Sequence, residues 1–349
     1  MKTLFDGIRQ SHVATPRLKA SVLERPGSSE NTPVVFIHGN VSSSIFWQPT
    51  MLALPDGIRG IAIDLRGFGD SETLPVDARR GLGDFADDVS SVLEAMGIAR
   101  AHFVGWSMGG GVLMQLLLSH SSLFETLTLV APVSPYGFGG TVGAEGRQLS
   151  ADSAGTGGGG ANPEFVALLE AHDASDGSPT TPRNVYRGTY VKNFAGLPHE
   201  DIWIESMLTT RTGLDNYPGD SVASDNWPGF APGTRGVLNT MAPGNFDVSG
   251  IVSIDEKPPV LWIHGADDAI VSNDSLFDLN TLGKLGAIPG WPGDEIAPSQ
   301  PMITQTRAVL DAYAANGGRY SEEEFADCGH SPHLEYPEKF SAALHAHID

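Results

Sequence analysis

Gly105-Trp106-Ser107-Met108-Gly109 follows the short apolar stretch Ala101-His102-Phe103-Val104 and opens the run Val112-Leu113-Met114-Gln115-Leu116-Leu117-Leu118. An apolar strand, a serine with a small residue two positions either side, and then a helical run describe a sharp strand-to-helix turn that exposes the serine hydroxyl. The five-residue pattern alone is weak in a chain with 42 glycines, so its meaning rests on the surrounding stretches.

Working outward, Val34-Val35-Phe36-Ile37 ends at His38-Gly39-Asn40, and Ile58-Arg59-Gly60-Ile61-Ala62-Ile63-Asp64 ends at Leu65-Arg66-Gly67-Phe68-Gly69-Asp70-Ser71. Both read as buried parallel strands. A short helix is expected over 44–54. Phe85, Val89, Val92, Leu93 and Met96 at helical spacing predict another over 84–96, stopped by Gly97. Leu127-Thr128-Leu129-Val130 is the next strand, so strands and helices alternate as a doubly wound parallel sheet requires.

That rhythm breaks near Pro135 and returns at Pro259-Val260-Leu261-Trp262-Ile263-His264-Gly265, with a helix near 302–315, a strand near 319–325 and a last helix over 337–345. Residues 1–135 and 256–349 therefore read as two parts of one α/β core, and 136–255 as an inserted, mainly helical cap. Within the cap, helices are expected over 163–172 and 200–208. The Gly157-Gly158-Gly159-Gly160 tract predicts a flexible segment, either a linker or a mobile lid.

A chain of 349 residues, 40% of them hydrophobic, is long enough for a large core with an insertion and argues against disorder. Its net charge of -21, from 42 acidic and 21 basic residues, opposes binding to a phosphate backbone or an anionic membrane surface. No nucleic-acid or membrane partner is expected. A lone cysteine, Cys328, cannot make an internal disulfide and suits a reducing compartment. Met1-Lys2-Thr3-Leu4-Phe5-Asp6-Gly7 lacks the apolar stretch of a secretory leader, so the expected location is cytoplasmic.

A serine hydroxyl is a poor nucleophile at neutral pH unless a histidine takes its proton and an acid orients that histidine. Asp267 and Asp268 follow the strand ending at Gly265, and His330 lies in Asp327-Cys328-Gly329-His330-Ser331-Pro332-His333 after the strand near 319–325. Two adjacent carboxylates compete for the acid position, and His333 is a second histidine near the first. Ala131-Pro132-Val133-Ser134, after the preceding strand, offers no carboxylate.

With these pieces in chain order, the sequence resembles the α/β-hydrolase superfamily over residues 30–135 and 256–349. The resemblance implies Ser107 as nucleophile, Asp268, three positions after Gly265, as acid, and His330 as base. It also implies an oxyanion hole made by the N–H groups of Met108 and of a residue in the loop after His38-Gly39, Asn40 being the first choice and Val41 the second. His38 is assigned to holding that loop by hydrogen bonds, and Val41 and Trp106 are placed at the substrate, Trp106 either touching the acyl site or packing beneath it. The stretch from His38 to Trp47 looks like that of haloalkane dehalogenases, but those need a carboxylate at the elbow, so Ser107 disfavours dehalogenation and epoxide hydrolysis. The elbow also resembles cofactor-free haloperoxidases, which would make peracid formation a side reaction.

No Walker motif, strand-linked Gly-x-Gly-x-x-Gly or zinc-ligand spacing is present, so no nucleotide, other cofactor or metal is expected. The expected activity is hydrolysis of a medium-sized, largely apolar carboxylic ester or lactone through an acyl-enzyme on Ser107. Alternatives on the same triad are a carbon–carbon bond hydrolase and a proline-type aminopeptidase, the latter using Glu200, Asp201 and Glu205 to hold an amine. A ligand receptor built on the same scaffold is a further alternative. Candidate pocket walls are Phe165, Tyr186, Tyr190, Phe194, Trp203, Tyr217, Trp227 and Phe230, and the segment 287–301 with Trp291. An apolar cap would also permit a homodimer.

Overall fold

In a computed structural model that describes residues 3–349, the main strands are β1 (Arg9–Ala14), β2 (Lys19–Arg25), β3 (Val34–Ile37), β4 (Gly60–Ile63), β5 (Ala101–Trp106), β6 (Phe124–Val130), β7 (Val260–Gly265) and β8 (Tyr320–Phe325). They form one sheet in the spatial order β1-β2-β4-β3-β5-β6-β7-β8. From β4 to β8 all neighbours are parallel, whereas β1 and β2 add an antiparallel hairpin at one edge. Strands β3, β4, β5 and β7 are buried along their whole length, which is why they read as unbroken apolar runs. The outer strand β8 carries Glu322, Glu323 and Glu324, a charged edge that discourages pairing with another chain.

Helices cover both faces. Gly83–Ala95 (α2) and Met108–Ser119 (α3) pack together on one side. Gln48–Ala53 (α1) contacts the C-terminal helix Pro337–Ile348 on the other. The chain visits β3, moves outward to β4 and returns to place β5 on the other side of β3, pairing Ile37 with Gly105. In such sheets the crevice beyond the strand ends at this reversal is where ligands bind. Here it brings together the loops after β3 and β5.

Between β6 and β7 the chain builds the inserted region, with Pro163–Glu170 (α4), Glu200–Met207 (α5) and a short helical turn at Pro182–Val185. Three two-stranded pairs accompany these helices. The Gly157–Gly160 tract is a packed 3-10 turn rather than a flexible segment. A Cβ on Gly157 would fall 2.1 Å from Asn239 Oδ1, and one on Gly158 would fall 2.8 Å from the Gly219 backbone. The buried Gly158 N–H donates to Asn239 Oδ1 at 2.8 Å. Glycine serves close backbone approach here.

Candidate active site

Strand β5 ends at Trp106 and α3 begins at Met108, leaving Ser107 alone at the turn with φ 56 and ψ -120. A left-handed φ on a non-glycine residue costs on the order of 1–3 kcal/mol and persists only where its surroundings hold it. Here the Ser107 N–H donates to the Val130 carbonyl at 2.9 Å, and the Ser107 carbonyl accepts from the Val133 N–H at 3.1 Å. The flanking glycines make the turn possible. A Cβ on Gly105 would sit 2.6 Å from the Gly109 carbonyl oxygen, and one on Gly109 would sit 2.4 Å from that of Ile37.

Asp268 and His330 come from the loops after β7 and β8, whose ends pair at Gly265 and Phe325. His330 Nδ1–H donates to Asp268 Oδ2 at 2.7 Å, and the two residues are 2% and 5% exposed. The other carboxylate oxygen, Oδ1, accepts from the N–H groups of Ile270 at 2.7 Å and Val271 at 2.9 Å. Each oxygen is thus fixed. With the proton on Nδ1, Nε2 is the basic nitrogen, and both His330 and Ser107 line the same cavity. Asp267 points elsewhere and pairs with Lys192 Nζ at 2.8 Å.

The second histidine of that loop has a different environment. His333 is fully buried between the rings of Trp47 and Trp106, with neither ring nitrogen hydrogen-bonded, and burial pushes its pKa down to about 3. It does not line the cavity. Trp106 does not line the cavity as a substrate contact but takes the other position expected for it, beneath the site: it is fully buried and its indole N–H donates to the His330 carbonyl at 2.8 Å. Its place in the last, wholly buried position of β5 accounts for this.

Sequence reasoning also missed Glu335. Its carboxylate accepts from Gly329 N–H at 2.7 Å and, through the other oxygen, from the N–H groups of Lys192 at 2.8 Å and Asn193 at 3.3 Å. It ties the His330 loop to the inserted region. Cys328 is buried beside it, with Sγ 3.5 Å from Glu335 Oε1, and burial pushes its thiol pKa up. Nothing in the sequence around Glu335 marks this role, because its partners are backbone amides, two of them 143 and 142 residues away.

The loop after β3 completes the site. His38 Nδ1–H donates to the Gly39 carbonyl at 2.7 Å while its Nε2 accepts from Leu65 N–H at 3.1 Å, and burial lowers its pKa. The Ser42 hydroxyl also donates to the Gly39 carbonyl at 2.8 Å, and Tyr190 from the inserted region donates to the Asn40 carbonyl at 3.0 Å. Asn40, Val41 and Met108 all line the cavity with Ser107. Among the described residues, neither the Asn40 nor the Met108 N–H has a backbone acceptor. The start of α3 adds its positive dipole end beside Ser107.

A family description, alpha/beta hydrolase fold, matches residues 32–292. The chain belongs to the α/β-hydrolase family. Among curated proteins it is 40% identical over 111 residues to a probable lysophospholipase, BODYGUARD 4, from Arabidopsis thaliana, covering 31% of this chain and 25% of that protein. It is 38% identical over 105 residues to a putative carbamate hydrolase, RutD, from Variovorax paradoxus, covering 30% of this chain and 39% of that one. The chain thus spans well under half the length of these curated relatives. Among solved structures, a bacterial membrane phospholipase A superposes with a TM-score of 0.61 at 18% identity, covering 98% of this chain and 86% of that one, a likeness of fold.

In this α/β-hydrolase the serine, histidine and Asn40 loop open onto a cavity of about 360 Å³. Its walls are largely apolar and include Val133, Phe138, Phe165, Tyr190, Tyr217, Leu238, Met241 and Ile270. Of the eight aromatic residues singled out in the insertion, Phe165, Tyr190 and Tyr217 line it, whereas Tyr186 and Trp203 are core and Phe194 is exposed. The segment 287–301 contributes no wall. That surface comes from Leu276, Phe277, Asp278, Leu279 and Leu282, just after the Asp268 loop. Glu200 and Asp201 are not at the cavity either, being bound by Arg183, with Glu200 also held by Arg187.

Proposed function

We propose that this α/β-hydrolase cleaves a medium-sized, largely apolar carboxylic ester or lactone through an acyl-enzyme on Ser107. The observation that carries this reading is that His330, bound to the buried Asp268 at 2.7 Å, lines one largely apolar cavity together with Ser107. His330 Nε2 takes the Ser107 proton as Oγ attacks the carbonyl carbon. Asp268 holds the ring by Nδ1 and stabilises the imidazolium that forms.

The negative charge that develops on the carbonyl oxygen is met by the N–H groups of Asn40 and Met108, one such donor being worth on the order of 10²–10³ in kcat. His330 then returns the proton to the departing alkoxide. A water attacks the acyl-enzyme by the same route, releasing the acid and restoring Ser107. The names of the curated relatives, a probable lysophospholipase and a putative carbamate hydrolase, fit acyl transfer to water. Glu200 and Asp201 are paired with arginines and Glu205, like them, does not line the cavity, which weighs against a peptidase that holds an amine with those three residues.

A fluorophosphonate probe tests the reading. It is expected to label the wild-type protein and not Ser107→Ala, with ester turnover falling at least about 10³-fold in the variant. Equal labelling of both proteins, or an unaltered rate, overturns the assignment.

A further inference from the structure

One side chain in the cavity wall has no role in the steps above. Asp278 is 2% exposed and lines the cavity with otherwise apolar neighbours, Leu276, Phe277, Leu279 and Leu282. Its Oδ1 accepts from Asn280 N–H at 3.1 Å and its Oδ2 from Gln300 N–H at 2.8 Å. Each carboxylate oxygen can accept a second hydrogen bond. Among the described residues no Lys, Arg or His makes an ion pair with it, and the cavity lining contains no Lys or Arg at all.

A buried carboxylate without a counter-charge is expensive, and proteins normally pair it or bind a cation there. Burial accordingly raises the pKa of Asp278, to about 6, with its two backbone hydrogen bonds opposing the shift. The field of the whole molecule points the same way, because a net charge of -21 attracts cations and repels anions on approach. The cavity therefore offers largely apolar walls, a single carboxylate and no Lys or Arg.

We propose that Asp278 selects substrates that carry an ammonium group on the part of the ester occupying the cavity. This rests on the ester-hydrolase reading of Ser107, His330 and Asp268. The apolar walls hold the hydrocarbon portion, and Asp278 accepts charge-assisted hydrogen bonds from the ammonium, which replaces the missing counter-ion. Asp278 also caps the short helix Leu279–Lys284. Asn keeps the capping bond to Asn280 N–H but, with one acceptor oxygen, gives up Gln300 N–H; that loss bears on both esters alike, so a purely structural Asp278 predicts no change in their ratio when it becomes Asn.

The experiment compares wild type with Asp278→Asn on two p-nitrophenyl esters of matched length, 6-aminohexanoate and heptanoate. The kcat/KM ratio of ammonium to methyl ester is expected to fall at least about tenfold in the variant, the scale of losing one charged hydrogen bond. An unchanged ratio overturns the proposal. Calorimetric titration with hexylammonium and with hexan-1-ol separates this outcome from failure of the hydrolase reading. If neither ester turns over and Ser107 takes no probe, tighter hexylammonium binding by wild type than by Asp278→Asn still supports the assignment, and equal binding rejects it.

Discussion

Asp267 and Asp268 are adjacent in sequence and differ only in what surrounds them. One forms a half-exposed pair with Lys192, and the other is closed in by two backbone N–H groups and His330. His330 and His333 repeat the contrast, since His333 is a neutral ring without hydrogen bonds. Its burial has a consequence for stability. The native ring binds a proton only near pH 3, whereas the unfolded ring does so near 6.5. Between those values the unfolded chain holds more protons, so stability falls as pH is lowered through that window, by up to about 1.4 kcal/mol per pH unit. Urea midpoints at pH 6.5 and pH 5 should therefore separate less in His333→Leu than in wild type. Equal separations would reject this. His38, His102 and His347 are lowered by burial in the same direction, so the variant flattens the slope without removing it. Asp278 acts oppositely, its burial cost being relieved as pH falls below about 6.

At the level of elements, Glu335 joins two parts of the chain that no strand pairing connects. Its two oxygens divide the work, one serving Gly329 and the other Lys192 and Asn193. Gln at this position has a single acceptor oxygen and cannot serve both sides, so one end of the tie is released to water. Hydrogen exchange at the Lys192 and Asn193 amides should quicken in Glu335→Gln. Protection equal to wild type would show that the carboxylate is not the clasp. The parallel strands were legible because burial on both faces leaves continuous apolar runs such as Val34–Ile37. Strand β1 was not, since Arg9–Ala14 is almost wholly exposed and carries no burial period. The Gly157–Gly160 tract misled for another reason: missing side chains look alike whether they grant slack or admit a neighbour, and only Asn239 and Gly219 reveal which. Asp278 sits in a mixed stretch after β7, Leu276-Phe277-Asp278-Leu279-Asn280, whose cavity-facing side no periodicity announces.

Across the whole molecule, one continuous core joins the parts of the sheet before and after the insertion, and residues of both converge on the cavity. Among the described residues no helix is long and apolar enough to cross a membrane. The excess of acidic groups is spread through the sequence, whereas the cavity keeps only Asp278 and His330 among its Asp, Glu, His, Lys and Arg side chains. The buried thiol beside the His330 loop gives this architecture a built-in clock. Because the chain has one cysteine, a colorimetric disulfide reagent has a single target, and Cys328 can meet it only when the loop lifts from Glu335. The native protein should react slowly, and Glu335→Gln faster under the same conditions. The modification rate would then time the opening of one loop in an otherwise unlabelled molecule, without any introduced dye.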